Sequence, residues 1–151
     1  MKLRHAAQVL ILAALAACGS QARVVQPPGC VDGLERYDSP GELDVMVGGA
    51  WVVGLERAQR EPWRRRVKAG IVVPAGGTLR LSVPPEARSL LALTHGSDPD
   101  AATLSACHGH VPSAFFPGAL RVRRPICDVP LDWRYGTDRG RLRLSFGKGC
   151  R

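Results

Sequence analysis

From residue 43 onward the chain carries short apolar or alternating runs separated by glycine and proline, and no run of ten or more residues keeps helical spacing. The clearest run lies near the end, where Leu142, Leu144 and Phe146 alternate with polar residues. Such alternation places one face of a strand in a core and the other in water. We predict nine strands, over residues 43–47, 50–56, 67–73, 78–83, 89–94, 103–107, 119–123, 127–133 and 141–146.

Residues that favour turns separate these runs, among them Gly48-Gly49, Pro84-Pro85 and Pro117-Gly118. Short strands with frequent turn signals predict an all-β fold. We expect an immunoglobulin-like β-sandwich of about seven to nine short strands, stapled by disulfides. A closed barrel is the alternative.

The first residues follow a different pattern, because Lys2 and Arg4 precede an apolar run over residues 6–17. This is the layout of an export signal, and the run is shorter than the roughly 20 residues of a transmembrane helix. Its end, Leu15-Ala16-Ala17-Cys18, resembles a lipobox, the tetrapeptide at which bacterial lipoproteins are cleaved. The resemblance implies cleavage before Cys18 and covalent lipid on its sulfur; an ordinary secretory signal cut near Ala17 or Ala22 is the alternative.

The lipoprotein resemblance implies three segments: a signal peptide at residues 1–17, a lipidated tether at 18–29 and one β-sandwich domain at 30–151. Two or more acyl chains hold a protein at a membrane essentially permanently. Residues 19–29 reach at most about 36 Å when extended. We therefore expect a lipid-anchored protein of the cell membrane or outer membrane, facing away from the cytoplasm.

The chain has five cysteines, an odd number for an exported protein. Lipid on Cys18 would leave Cys30, Cys107, Cys127 and Cys150 to form disulfides in an oxidising compartment. Four cysteines allow three pairings. We prefer the one that joins Cys107 to Cys127, in neighbouring strands, and Cys30 to Cys150, at the two ends of the domain.

The chain beyond residue 17 is basic, since it holds 19 of the 21 Lys and Arg and all 13 Asp and Glu, a formal net charge of +6. A basic surface suits anionic lipid headgroups, acidic envelope polymers or acidic proteins, whereas export argues against nucleic acid. The alternative is a GC-rich genome, because lysine occurs only at positions 2, 68 and 148 and asparagine is absent.

One segment concentrates the positive charge around a tryptophan, with Glu56 and Glu61 as its nearby acids. Arginine forks and an indole face are suited to phosphate or carboxylate groups. The alternative is a solvated hairpin whose cations discourage edge pairing. The candidate anion-binding residues are Arg57, Arg60, Trp63, Arg64, Arg65 and Arg66, followed by Lys68.

A second cluster contains His95, Cys107 and His110, residue types that bind copper or zinc in β-sandwich cupredoxins. No methionine follows His110, and use of Cys107 as a ligand would leave another cysteine unpaired. We therefore prefer a disulfide at Cys107 and expect no metal or other cofactor, with the metal site as the alternative.

Catalytic motifs are weak in this chain. It has no G-x-S-x-G sequence, and Asp98-Pro99-Asp100 fits a turn better than a calcium site. We expect that the protein is not an enzyme.

The C-terminal half has a looser resemblance, through residues 105–107, 116–119, 124–132 and 147–150. These resemble small exported proteins of high-GC actinobacteria that have no assigned activity, over roughly residues 30–150. This resemblance implies a fold only. The sequence as a whole predicts a membrane-anchored envelope lipoprotein with a non-catalytic binding or structural role.

Overall fold

The structure, a computed structural model, describes residues 24–33, 39–109 and 111–150; Cys18 and His110 lie outside these ranges. Of these described residues, 45% are in strands and 7% in helices. In the described part a short helix α1 spans Leu55–Arg60. Its strands are β1 Val45–Val47, β2 Ala50–Val52, β3 Arg66–Lys68, β4 Ile71–Pro74, β5 Thr78–Ser82, β6 Leu91–Leu93, β7 Ala101–Ser105, β8 Ser113–Phe116, β9 Ala119–Val122, β10 Ile126–Tyr135 and β11 Asp138–Phe146.

The strands form three antiparallel sheets, with the orders β1-β2-β4-β8, β11-β10-β5-β7 and β3-β9-β6. All three contribute to one apolar core, in which Ile71, Leu79, Leu91 and Phe146 are fully buried. Each such side chain stabilises the fold by about 1.5–3 kcal/mol. The prediction of an all-β, disulfide-stapled β-sandwich is confirmed, although the described residues form eleven strands rather than seven to nine.

The strand predicted at residues 50–56 is too long. Gly54 has a φ of 66°, in the left-handed region, and its N–H donates to Asp44 Oδ1 at 2.7 Å. The chain turns there into α1, whose Leu55 is buried and whose Ala58 packs against the core. The apolar positions Leu55 and Ala58 are three apart, which a single helical turn brings to one face.

The strand predicted at residues 67–73 is two strands in different sheets. Ala69 donates its N–H to Gly118 O at 3.1 Å in one sheet, whereas Gly70 O accepts from Val53 N at 2.8 Å in the other. A Cβ on Gly70 would lie 2.4 Å from the Phe115 ring, so any other residue where the chain changes sheets would displace this ring. Phe115 belongs to β8, a strand that the sequence did not predict.

The preferred cysteine pairing is wrong. The disulfides join Cys30 to Cys107 and Cys127 to Cys150, each with a Cα–Cα distance of 5.0 Å. Cys107 follows β7 and Cys127 lies on β10, and β5 separates these strands in their sheet. By the loop-entropy model, closures over 77 and 23 residues stabilise the fold by about 4 and about 3 kcal/mol.

The segment around Cys30 packs on the domain. Val31 N donates to Ser105 O at 2.8 Å, which places Cys30 beside Cys107. Further back, Gln26 accepts from His108 N at 2.6 Å and donates to His108 O at 2.7 Å. The part of the predicted tether from Gln26 onward is therefore attached to the domain. In the described residues, no helix has the length and apolarity to cross a bilayer.

Candidate functional site

The three-stranded sheet β3-β9-β6 has one face in the core and one in solvent. Val67, Leu120 and Leu93 point inward and are buried. Alternation along the strands therefore places Arg66 and Arg121 on the outer face, next to the half-buried Ala92. The outer face of this sheet is basic.

Two arginines on this face stand directly opposite each other, because Arg66 pairs with Arg121 in the β3–β9 register. Val122 N donates to Arg65 O at 2.9 Å and Ala69 N donates to Gly118 O at 3.1 Å. Hydrogen-bonded and non-hydrogen-bonded pairs alternate, so Arg66 and Arg121 form a non-hydrogen-bonded pair, with Cβ atoms about 4.5–5.5 Å apart. Like charges in this position destabilise a sheet unless a counter-ion lies between them.

An open groove of about 630 Å³ lies beside this pair, and we call it the basic groove. Its floor includes Ala92, which stands opposite Arg121 in β6 and takes little space. The groove has no acidic lining residue, and no ion pair in the described part of the chain involves its arginines. The residues that line it are Arg65, Arg66, Ala92, Pro99, Arg121, Val122 and Arg123.

The structure distributes the arginine cluster predicted from sequence over two grooves. Arg57 and Arg60 lie on α1, and Arg60 forms an ion pair with Glu56. The residues of the cluster that line one groove are Arg57, Trp63, Arg64, Arg66 and Lys68. Only Arg65 and Arg66 reach the basic groove.

Trp63 is half-buried and packs against the core, and its buried indole N–H has no hydrogen-bond partner in the described structure. The side chain also lines the groove that contains Arg57, Arg64 and Arg66. The role of this indole face in gripping an anion stays a prediction.

Sequence reasoning missed Arg121 and Arg123, which complete the groove. They lie about 55 residues further along the chain than Arg65 and Arg66, and only the β3–β9 register brings the two pairs together. The signal available was the alternation of Leu120 and Val122 with Arg121 and Arg123, which places both arginines on the solvent face.

His95 joins the ends of all three strands of this sheet. It follows β6, its Nε2 lies 2.7 Å from Ala69 O just after β3, and its ring occupies the space beside Gly118 just before β9. Burial lowers the pKa of His95, and the hydrogen bond to Ala69 opposes this only in part. The neutral ring thus donates from Nε2, which leaves the buried Nδ1 unprotonated and without a partner in the described structure.

The histidine and cysteine cluster is not assembled as a thiolate site. Cys107 is bonded to Cys30, so its sulfur is not a thiolate, and His95 bonds a backbone carbonyl. Within residues 24–33, 39–109 and 111–150, no group of three or more His, Cys, Asp or Glu is placed to hold a metal ion.

The Asp98-Pro99-Asp100 segment forms a turn. Asp100 N donates to Asp98 Oδ1 at 2.8 Å, and the Asp100 carboxylate pairs with Arg88 Nε at 3.1 Å. Both carboxylates therefore have partners within the protein, as the sequence interpretation of this loop expected.

Comparisons of the chain with protein-family models, with curated proteins and with solved structures found no match.

Proposed function

We propose that this protein is a membrane-tethered envelope lipoprotein whose basic groove binds a phosphate-bearing group, and that it performs no chemistry of its own. The observation that carries the proposal is the Arg66–Arg121 pair, two guanidinium groups opposite each other without an acidic partner in the described structure. A bound phosphate between them would turn repulsion into two charge-assisted interactions.

The lining of the groove favours a phosphate group. Arg66, Arg121 and Arg123 line it together with the small Ala92. Arginine forks bind phosphate through paired N–H groups, which suits one phosphodiester held from several sides. A phospholipid headgroup is the phosphodiester that an anchored protein meets first.

The cysteine arrangement supports the anchor. The two disulfides use four of the five cysteines, so Cys18 has no cysteine left in this chain to pair with. Because Gln26 is hydrogen-bonded to the domain, the connection from Cys18 to Gln26 spans at most about 28 Å. A lipid on Cys18 would thus hold the basic groove within a few nanometres of the membrane surface.

The test of the groove uses the lipidated protein in micelles of dodecyl maltoside, a detergent that contains no phosphate. The soluble probe is glycerophosphoglycerol, the headgroup of phosphatidylglycerol without its acyl chains, and glycerol is the uncharged control. We expect saturable binding of the probe, weakened by salt, and no binding of glycerol. Equal responses to the two compounds would refute phosphate recognition.

The test of the anchor is the intact mass of the native protein extracted in detergent without reductant. We expect a chain that starts at Cys18, carries added acyl mass and lacks the four hydrogens lost in two disulfides. A mature chain that starts after Ala22 without added mass would refute lipidation.

A further inference from the structure

The solvent face of the sheet β11-β10-β5-β7 carries a second arrangement of arginines. Arg134 lies opposite Arg139 in the β10–β11 register and opposite Arg80 in the β10–β5 register. All three side chains are exposed. Since neighbouring strands are about 4.8 Å apart, the three arginines form a straight row about 10 Å long across the sheet. We call it the arginine row.

Partners for these cations are missing within the described residues. No ion pair there involves Arg80, Arg134 or Arg139. Arg134 is opposed by a like charge on each side, an arrangement that destabilises a sheet in the absence of a counter-ion. The row thus offers positive charge and a line of guanidinium donors. This arrangement suits an anion longer than a single phosphate.

The surroundings of the row point to a sugar polymer. An open groove of about 630 Å³ follows it, with the small Ser82 and Ala101 in its lining. The hydroxyl of Thr103 continues the row beside Arg80, since these residues pair in the β5–β7 register. Hydroxyl and carboxylate oxygens accept hydrogen bonds from sugar hydroxyls, and arginine forks donate to carboxylates in a bidentate way.

The next row of the sheet argues against a denser polyanion. Asp132 lies opposite Ser82 and Arg141, and it accepts from Arg141 Nε at 2.5 Å and Nη2 at 3.1 Å. The Asp132–Arg141 pair therefore adds no net positive charge beside the row, and the closely spaced charges of a polyphosphate that lay along the groove would find no free cation there. A chain of uronic sugars, whose carboxylates are separated by whole rings, would place a neutral ring beside this pair instead.

From these observations we infer that the arginine row is a second binding site, for a linear acidic polysaccharide that lies across β5, β10 and β11. This site uses none of the residues of the basic groove, so it does not depend on phosphate binding there. The two sites would let one domain contact a membrane surface and an envelope polysaccharide.

The test measures binding of polygalacturonate to the full lipidated protein in phosphatidylcholine nanodiscs. The matched polymer control is fully methyl-esterified polygalacturonate, which has the same backbone without charge. The test variant is Arg80→Gln with Arg134→Gln, and the charge-matched control is Arg60→Gln with Arg143→Gln, two arginines that are ion-paired with Glu56 and Asp128. The melting temperature and the two intact disulfides of each variant are measured first, so that misfolding is recognised.

We expect the acidic polymer to bind, its ester not to bind, and the Arg80/Arg134 variant to bind at least tenfold more weakly. The Arg60/Arg143 variant should stay within about twofold of the original affinity, because these two guanidinium groups are already engaged by acidic partners and lie outside the arginine row. An equal loss of affinity in both double variants would show that binding depends only on net charge, and it would overturn the site. Tighter binding of polyphosphate than of polygalacturonate would overturn the assignment to a polysaccharide.

Discussion

Two strand pairs of this protein carry arginines on their solvent faces, and they differ in how this positive charge is compensated. On β10–β11, Arg141 stands opposite Asp132, and the two side chains form a bidentate ion pair with distances of 2.5 and 3.1 Å. On β3–β9, Arg66 stands opposite Arg121, and neither has an acidic partner in the described structure. Arg141 is therefore neutralised within the fold, whereas Arg66 and Arg121 are not.

The two strand pairs differ in whether their arginines are still free to bind an anion. The hydrogen bond and the charge of Asp132 raise the pKa of Arg141 and occupy its fork. Arg66 and Arg121 keep their forks for an anion from solution. Such an anion would bind the native state and not the unfolded chain, so it would also raise the stability of the fold.

The largest expected effect comes from removing both unpaired arginines. Arg66→Gln with Arg121→Gln should weaken binding of glycerophosphoglycerol by at least about a hundredfold, because each hydrogen bond to a charged group contributes about 1.5–3 kcal/mol. Titration followed by NMR measures the affinity. The control, Arg60→Gln with Arg143→Gln, removes the same charge from arginines that are ion-paired with Glu56 and Asp128. An equal loss in the control would contradict a local site.

The next effect concerns the support of the basic sheet by His95. Burial holds the folded-state pKa of His95 below its ordinary value of 6.5, so below pH 6.5 the unfolded chain binds more protons than the native one. The stability is therefore complete above pH 6.5 and decreases as the pH falls toward the folded pKa. Melting curves between pH 7.5 and 5 check this. His95→Gln, which keeps a donor for Ala69 O, should make the melting temperature depend less on pH. An unchanged pH dependence in this variant would contradict the role of His95.

A smaller effect is expected when the β3–β9 pair is made to resemble β10–β11. Arg121→Glu places an acid opposite Arg66, and a cross-strand pair of opposite charges is worth about 0.5 kcal/mol. We expect slightly higher stability in urea together with loss of anion binding. The opposite combination, lower stability with retained binding, would contradict the account of this pair.

The smallest effect is expected from the reverse change. Asp132→Asn leaves Arg141 without a charged partner, so β10–β11 comes to resemble β3–β9. The pair is largely exposed, so the melting temperature should fall only slightly. The affinity of this face for polygalacturonate should rise, because an acid has been removed and a fork released. A lower affinity would show that Asp132 is needed for the polymer.

The strands with clear alternation could be predicted from sequence, as the region of β11 around Leu142, Leu144 and Phe146 shows. Helix α1 could not, because its six residues are too few to show a period and Gly54 alone ends the strand before it. Strand β8 between Pro112 and Pro117 has no alternation and is defined by its pairing with β4.

Only about half of the arginines of the basic groove could be predicted from the sequence. Arg65 and Arg66 were visible as a run of charge, but Arg121 reaches them through the β3–β9 register, which no local pattern encodes. The cysteine pairing failed for a related reason, since it depends on the order of strands in a sheet: β5 lies between β7 and β10. Properties of a single segment could be predicted, and those that need two distant segments could not.

The most direct measurement is a site-resolved NMR titration of arginine side chains. The lipidated protein in phosphate-free dodecyl maltoside micelles is titrated with glycerophosphoglycerol, and the Nε–Hε signals of Arg66, Arg121 and Arg141 are followed. The account predicts saturable shifts at Arg66 and Arg121 with one common affinity, and none at Arg141, whose Nε already donates to Asp132. Equal shifts at all three arginines, or none at Arg66 and Arg121, would contradict it.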